Sequence, residues 1–206
     1  VEVLPTNDDF KFKTKPFDHQ RKAFYMSRDK EAFGLLMEQG TGKSKVIVDN
    51  AAYLYANNKI NALVVIAPNG VHRNWLSKEL PVHMPDWCPY ESIYYRSGQN
   101  NIKKHRDKFN AVIGAENCLK VFSFNVEAFV SNVGIFYMMK ILSSHNVMLV
   151  VDESSRIKTP GAKRTKLITK FGKYAKYRRI LTGTPITKGP VDVFSQFKFL
   201  NQNILG

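Results

Sequence analysis

Two uninterrupted apolar runs set the terms for any fold of this chain. Ala62 to Ala67 reads Ala-Leu-Val-Val-Ile-Ala and is stopped by Pro68-Asn69-Gly70. Val147 to Val151 reads Val-Met-Leu-Val-Val and runs into Asp152-Glu153. Neither run alternates apolar with polar residues, so each predicts a strand covered on both faces. Such strands belong to parallel sheets with helices on either side, an α/β architecture.

The remaining segments fit that scheme. Phe33 to Met37 predicts a strand, and Lys43 to Ala56 has helical spacing through Val46, Ile47, Ala51 and Leu54. A helix is expected from the Pro68 break to Leu80, with strands at Ser92–Tyr95 and Ala111–Ala115. Helices follow at Val126–Val130 and Gly134–Leu142, then a basic helix at Lys163–Tyr174. Ile180 and Leu181 suggest a last short strand, and Val191–Leu200 a last helix. The first fourteen residues are expected to extend over the surface, with a single lobe over residues 15–206. No role is assigned to residues 81–110.

In parallel α/β sheets, ligands sit beyond the carboxyl ends of the strands. The chemistry-bearing residues fall there. Met37-Glu38-Gln39-Gly40-Thr41-Gly42-Lys43-Ser44 lies between a strand and a helix. Gly40 and Gly42 let the backbone curl its N–H groups around phosphate oxygens, and the helix N-terminus adds a favourable dipole. Lys43 can reach β- and γ-phosphates, and the Ser44 hydroxyl can ligate Mg2+. Met37 stands where the strict phosphate-loop pattern has glycine. At the end of the Val147 run, Asp152 is placed to hold Mg2+ and Glu153 to orient and activate an attacking water.

Charge points to a polyanionic partner. The chain has 31 Lys and Arg against 17 Asp and Glu, a formal net charge of +14. Between Ser154 and Val191 there is no acidic residue, but there are Arg156, Lys158, Lys163, Arg164, Lys166, Lys170, Lys173, Lys176, Arg178, Arg179 and Lys188. Such a segment suits nucleic-acid phosphates. Cys88 and Cys118 are the two cysteines and form no CxxC pair, which argues against a disulfide framework or zinc site. The apolar stretch near Val133 to Leu142 is broken by Lys140 and too short for a bilayer span. The default expectation is therefore a soluble intracellular protein with no membrane partner.

Lys43, Asp152 and Glu153, with their flanks, resemble the first lobe of superfamily II helicases, and most nearly the Swi/Snf-like DNA translocases. Phe17-Asp18-His19-Gln20 resembles that family's glutamine motif, where Gln20 would meet adenine. Ile66-Ala67-Pro68 followed by Asn74-Trp75 resembles the segment that reaches nucleic acid. Asp152 to Lys158 resembles the DEAH-box stretch with its Arg-Ile-Lys ending, although Ser155 replaces the usual histidine. Arg179 to Pro185 resembles the LTGTP motif, in which Thr182, Gly183 and Thr184 would couple ATP state to DNA contact. Phe197 to Gly206 is similar to the tail leading out of the lobe. Ala111 to Glu116 loosely resembles a threonine-rich motif.

The resemblance implies a RecA-like P-loop NTPase lobe, a parallel sheet with helices on both faces. It implies ATP and Mg2+ as cofactors, with ATP bound by Gln20, Gln39, Gly40, Thr41, Gly42, Lys43 and Ser44. It implies duplex DNA as track, contacted by Pro68, Asn74, Trp75, Arg156, Lys158, Lys163 and Arg164. It also implies a second RecA-like lobe, in a longer chain or a partner, which these 206 residues have no room for. The address would be cytoplasmic in a bacterium or virus and nuclear in a eukaryote. Two other readings remain open: a nucleotide- or nucleic-acid-binding module with negligible turnover alone, and an RNA or restriction-type helicase lobe.

Overall fold

The computed structural model describes residues 10–96, 103–157, 159–186 and 189–203. Among them, six strands form one parallel sheet: β1 (Ala32–Leu36), β2 (Ala62–Ala67), β3 (Tyr90–Tyr94), β4 (Leu119–Asn125), β5 (Val147–Asp152) and β6 (Tyr177–Thr182). Their spatial order is β1-β6-β5-β2-β4-β3.

The apolar runs behave as their composition requires. Every residue of β2 and β5 is buried. Successive side chains point to opposite faces. Ala62, Val64 and Ile66 therefore enter one core with Val147, Leu149 and Val151. Leu63, Val65 and Ala67 enter the other with Met148 and Val150. Burying each such branched side chain is worth roughly 1.5–3 kcal/mol, so both faces must be covered.

Helices α1 (Asp18–Ser27) and α2 (Lys43–Ala56) cover one face. The same layer includes α3 (Val71–Asn74), a π-helical turn at Trp75–Glu79 and α4 (Leu80–His83). The other face takes α5 (Lys103–Gly114), α6 (Asn132–Ser144), α7 (Lys163–Gly172) and α8 (Phe194–Leu200).

One expectation is overturned here. Ala111 to Gly114 is not a strand but the last turn of α5, whose Phe109 and Val112 face the core. The strand lies further on, at β4, so the resemblance of Ala111–Glu116 to a strand-end motif gives way as well. β4 was hidden because it buries Lys120, Ser123 and Asn125 among its apolar residues.

The described part of the N-terminal segment, from Phe10 on, is anchored on α1. Phe10 and Phe12 pack their rings on Phe24, at 4.8 and 5.1 Å between centroids. Part of the basic segment is also structural. The fully buried Arg179 guanidinium donates to the carbonyls of Ser27 and Arg178, at 2.7 and 2.9 Å. Burial lowers its pKa to about 10. Arg178 donates to Leu200 O and Ala175 O. These two arginines knit strand to helix and are not offered to phosphates.

Candidate nucleotide site and adjoining basic face

Strand register decides which motifs meet. Leu36 of β1 pairs with Thr182 of β6, and Leu181 of β6 pairs with Asp152 of β5. Ile66 of β2 pairs with Val151 of β5, and Ala67 of β2 with Asn125 of β4. Along one sheet edge the order is therefore the Met37–Ser44 loop, Thr182–Thr184, Asp152-Glu153, Pro68–Gly70, Asn125, and the Tyr94–Arg96 turn.

The glycine loop is held in a curled form by its own contacts. Gly40 and Gly42 have φ of +76° and +77°, the left-handed region that favours glycine. A Cβ on Gly42 would collide with the Gln20 amide, whereas one on Gly40 would meet open space. The Gln20 side chain accepts from Phe17 N–H and donates to Thr41 O, both at 3.0 Å. Its amide keeps one N–H and one lone pair for an adenine edge, which offers an N7 acceptor and an N6 donor. Lys43 is nearly buried and donates to the carbonyls of Met37 and Glu38 at 3.0 and 2.9 Å. A triphosphate would replace those two carbonyls.

Gly183 abuts this loop. A Cβ there would lie 3.2 Å from Gln39 N and 3.4 Å from Met37 O. Thr182 is fully buried and its hydroxyl accepts from Thr184 N–H at 3.1 Å. Of the expected coupling residues, Gly183 therefore lies against the phosphate loop.

Asp152 is 8% exposed. One carboxylate oxygen accepts from the Trp75 indole N–H and the other from Glu153 N–H, both at 2.9 Å. Burial is the main cause that raises its pKa, and the Glu153 carboxylate adds to it. Its hydrogen bonds and the charge of Lys43 pull the other way, so Lys43 and Asp152 share one field. Glu153 has φ of +49°, strain of the kind that collects at functional sites.

A magnesium ion takes oxygen donors, commonly one or two carboxylates with waters and phosphate. Asp152, whose oxygens each accept one hydrogen bond and keep a further lone pair, fits that demand together with the Ser44 hydroxyl. No group of three or more His, Cys, Asp or Glu suited to a metal occurs among the described residues. A phosphate-shared ion does not require one.

The nucleic-acid expectations divide. Asn74 and Arg73 are exposed on α3, and Lys163 and Arg164 are exposed on the first turn of α7. Pro68 is half-buried, Arg156 is exposed, and Lys158 lies outside the described residues. Trp75 is corrected: it is 1% exposed and faces Asp152, so it presents nothing to nucleic acid.

Sequence reasoning missed the residues that line the far end of the edge. Arg73, Tyr94, Arg96 and Asn125 surround a cavity of about 340 Å³. A second cavity of about 670 Å³ beside it is lined by Arg73, Arg96, Lys104 and Lys108. The Tyr94 ring has the Arg73 and Arg96 guanidiniums 5.5 and 4.6 Å from its centroid. Gln196 was missed too. Fully buried, it accepts from the Ser154 hydroxyl at 2.6 Å and donates to Pro185 O at 2.9 Å, bracing the two loops that follow β5 and β6. Glu79 stands near enough to Asp152 for that carboxylate to raise its pKa, after burial as the larger cause.

Known proteins share this chain's family pattern and its fold. The SNF2-related domain pattern matches residues 18–206. The chain is 26% identical over 170 residues to the ATP-dependent helicase FUN30 of Saccharomyces cerevisiae, across 81% of this chain and 14% of that protein. It is 25% identical over 175 residues to the probable ATP-dependent DNA helicase CHR12 of Arabidopsis thaliana, covering 81% and 14%. It is 24% identical over 171 residues to the SWI/SNF-related matrix-associated actin-dependent regulator of chromatin subfamily A containing DEAD/H box 1 of Bos taurus, covering 79% and 15%. The chain thus spans about 15% or less of the length of these relatives. In structure it resembles the Sulfolobus solfataricus SWI2/SNF2 ATPase core solved with dsDNA, with a TM-score of 0.74 at 22% identity, over 98% of this chain and 39% of that one.

Proposed function

The chain belongs to the SNF2-related domain family, and on that footing we propose that it is the ATP-binding lobe of a motor that hydrolyses ATP when bound to DNA and moves along or remodels the duplex. One observation carries this reading. A phosphate loop, a coupling turn and a paired carboxylate occupy adjacent strand ends, and the same edge continues into a cationic, aromatic-lined face.

The roles follow from chemistry at each atom. Loop N–H groups and the Lys43 ammonium bind the phosphates, while Gln20 holds adenine. Ser44 and Asp152 would hold magnesium, which when bound supplies positive charge to the phosphoryl oxygens. Glu153 orients water and accepts its proton as the water oxygen bonds to the γ-phosphorus. The bond to the bridging oxygen breaks with its electron pair leaving on ADP. Gly183, against Gln39, senses the filled loop. Gln196 ties that turn to the segment after Glu153.

Arg73, Asn74, Arg96, Lys163 and Arg164 take backbone phosphates, contacts that position without reading bases. A second RecA-like lobe, in the same longer polypeptide or a partner, would complete the site with cationic groups for the developing charge. No helix among the described residues is long and apolar enough to cross a membrane. In a eukaryotic cell the motor would work in the nucleus.

The test is ATP hydrolysis by the intact protein with duplex DNA, single-stranded DNA and RNA. Stimulation by duplex DNA supports the proposal. Stimulation by RNA alone, or by none of the three, would defeat it.

A further inference from the structure

The indole of Trp75 donates to Asp152 Oδ2 across 2.9 Å, with both side chains buried and 77 positions apart in sequence. Packing alone would not need this bond. A phenyl ring could fill the same apolar layer but has no donor, and a buried carboxylate oxygen needs one such as the indole N–H.

The backbone carrying the indole is unusual. Trp75 opens the π-helical turn Trp75–Glu79, set between α3 and α4. A single π turn holds one residue more than an α turn, and relaxing it to α geometry would swing a side chain by roughly 100° about the helix axis. The π geometry is the one that aims Trp75 at Asp152.

The segment leading into the turn belongs to the basic face. Ser123 of β4 donates to His72 O at 2.7 Å, which pins the start of α3 to the strand that ends at Asn125. Arg73 and Asn74 are exposed, and Arg73 lies over Tyr94. One residue further on, Trp75 enters the nucleotide site. Four consecutive residues, from the Asn125-side anchor at His72 to Trp75, thus pass from cationic surface to catalytic carboxylate.

We infer that Trp75 is a positioning residue whose indole N–H sets Asp152 for hydrolysis, and that nucleic acid seated on Arg73 and Asn74 acts on this setting through the π turn. The inference rests on the motor reading above. It adds a route from track to carboxylate distinct from the Thr182–Thr184 turn.

Two changes at position 75 of the intact protein test it. Trp75→Phe removes the N–H and shrinks the ring. Benzothienylalanine placed at Trp75 replaces the N–H by sulfur and keeps the shape. Three quantities are measured: DNA-stimulated turnover, equilibrium affinity for duplex DNA, and ADP affinity with and without Mg2+.

A lost hydrogen bond to a charged acceptor predicts on the order of ten-fold less DNA-stimulated turnover for both changes. The gain in ADP affinity on adding Mg2+ should shrink, while DNA affinity and Mg2+-free ADP affinity stay within about two-fold. A purely structural tryptophan would lower all of these with Phe and none with the sulfur isostere.

Full stimulation and a full Mg2+ effect in the isostere would overturn the inference, even if Phe prevents folding. Absence of DNA stimulation in the unaltered protein would instead defeat the motor reading itself.

Discussion

The two ends of one sheet edge are built in opposite ways. At the β1-β6-β5 end the loops are tied to one another: Gln20 to Thr41, Gly183 against Gln39, and Gln196 between Ser154 and Pro185. At the β2-β4-β3 end the loops stand open around two cavities edged by arginine and lysine. The first end resembles a preformed cradle, in which groups wait at fixed positions for charge that develops late. The second is a cationic surface whose contacts need reach more than precision. A motor stepping along an irregular polymer needs both, because chemistry tolerates little misplacement and a track must be gripped and released.

If the first end is a cradle, small changes there should be severe. Lys43→Ala leaves the phosphates without their ammonium and should lower turnover of the intact motor by about 10³-fold, with nucleotide affinity falling as well. Steady-state hydrolysis and nucleotide binding check this.

The rigidity of that end carries a cost in buried charge. Behind the loop, Lys45 and Asp49 of α2 form a 2.8 Å pair with both side chains buried. Burial is the main cause that raises the Asp49 pKa to about 6, against the opposing effect of Lys45. A raised folded pKa means the folded state holds its proton longer than the unfolded chain. This contribution is therefore full below about pH 4 and is lost as pH rises through 6, at a cost of roughly 3 kcal/mol. Urea denaturation between pH 4 and 7.5 should show that pH dependence in the unaltered protein, and less of it in Asp49→Asn.

Glycine positions sharpen the comparison within the cradle. Gly42→Ala meets both a left-handed backbone and the Gln20 amide, and should destabilise by about 2 kcal/mol and weaken ATP binding at least ten-fold. Gly40→Ala meets only the backbone penalty, about 1 kcal/mol. Thermal unfolding and nucleotide titration distinguish the two.

The open end should respond in smaller steps. Arg73→Ala or Arg96→Ala should each weaken duplex binding a few-fold and lower the salt slope of log K by about one, leaving ATP affinity unchanged. DNA titrations at several salt concentrations read this out. A change in DNA-free nucleotide affinity would mean that the open end also acts on the phosphate loop, beyond the route through Trp75 to Asp152.

Much of the cradle was readable from sequence because its signals are local. Two glycines beside Lys43-Ser44, and a carboxylate pair closing an apolar run, need no partner elsewhere to be recognised. α2, at Lys43–Ala56, and β2, at Ala62–Ala67, have the bounds that spacing and composition predict.

The open end was hidden for a physical reason. β4 carries Lys120, Ser123 and Asn125 into a buried strand, while the apolar Ala111–Gly114 stretch sits in a helix. Short apolar runs do not distinguish the two by periodicity. Trp75 was misplaced on the surface because its partner Asp152 is 77 residues away, and Gln196 escaped notice because it braces loops brought together only by the fold. Arg178 and Arg179 show the reverse error, cations that charge counting assigns to phosphates and the structure assigns to carbonyls.

The most direct test compares Glu153→Gln with the unaltered motor, measuring equilibrium binding of ATP with magnesium and single-turnover hydrolysis on duplex DNA. If Glu153 takes the water's proton, binding should stay within about three-fold while hydrolysis falls at least 100-fold. Hydrolysis at the unaltered rate, with ATP bound as before, would contradict the assignment of this strand end to catalysis.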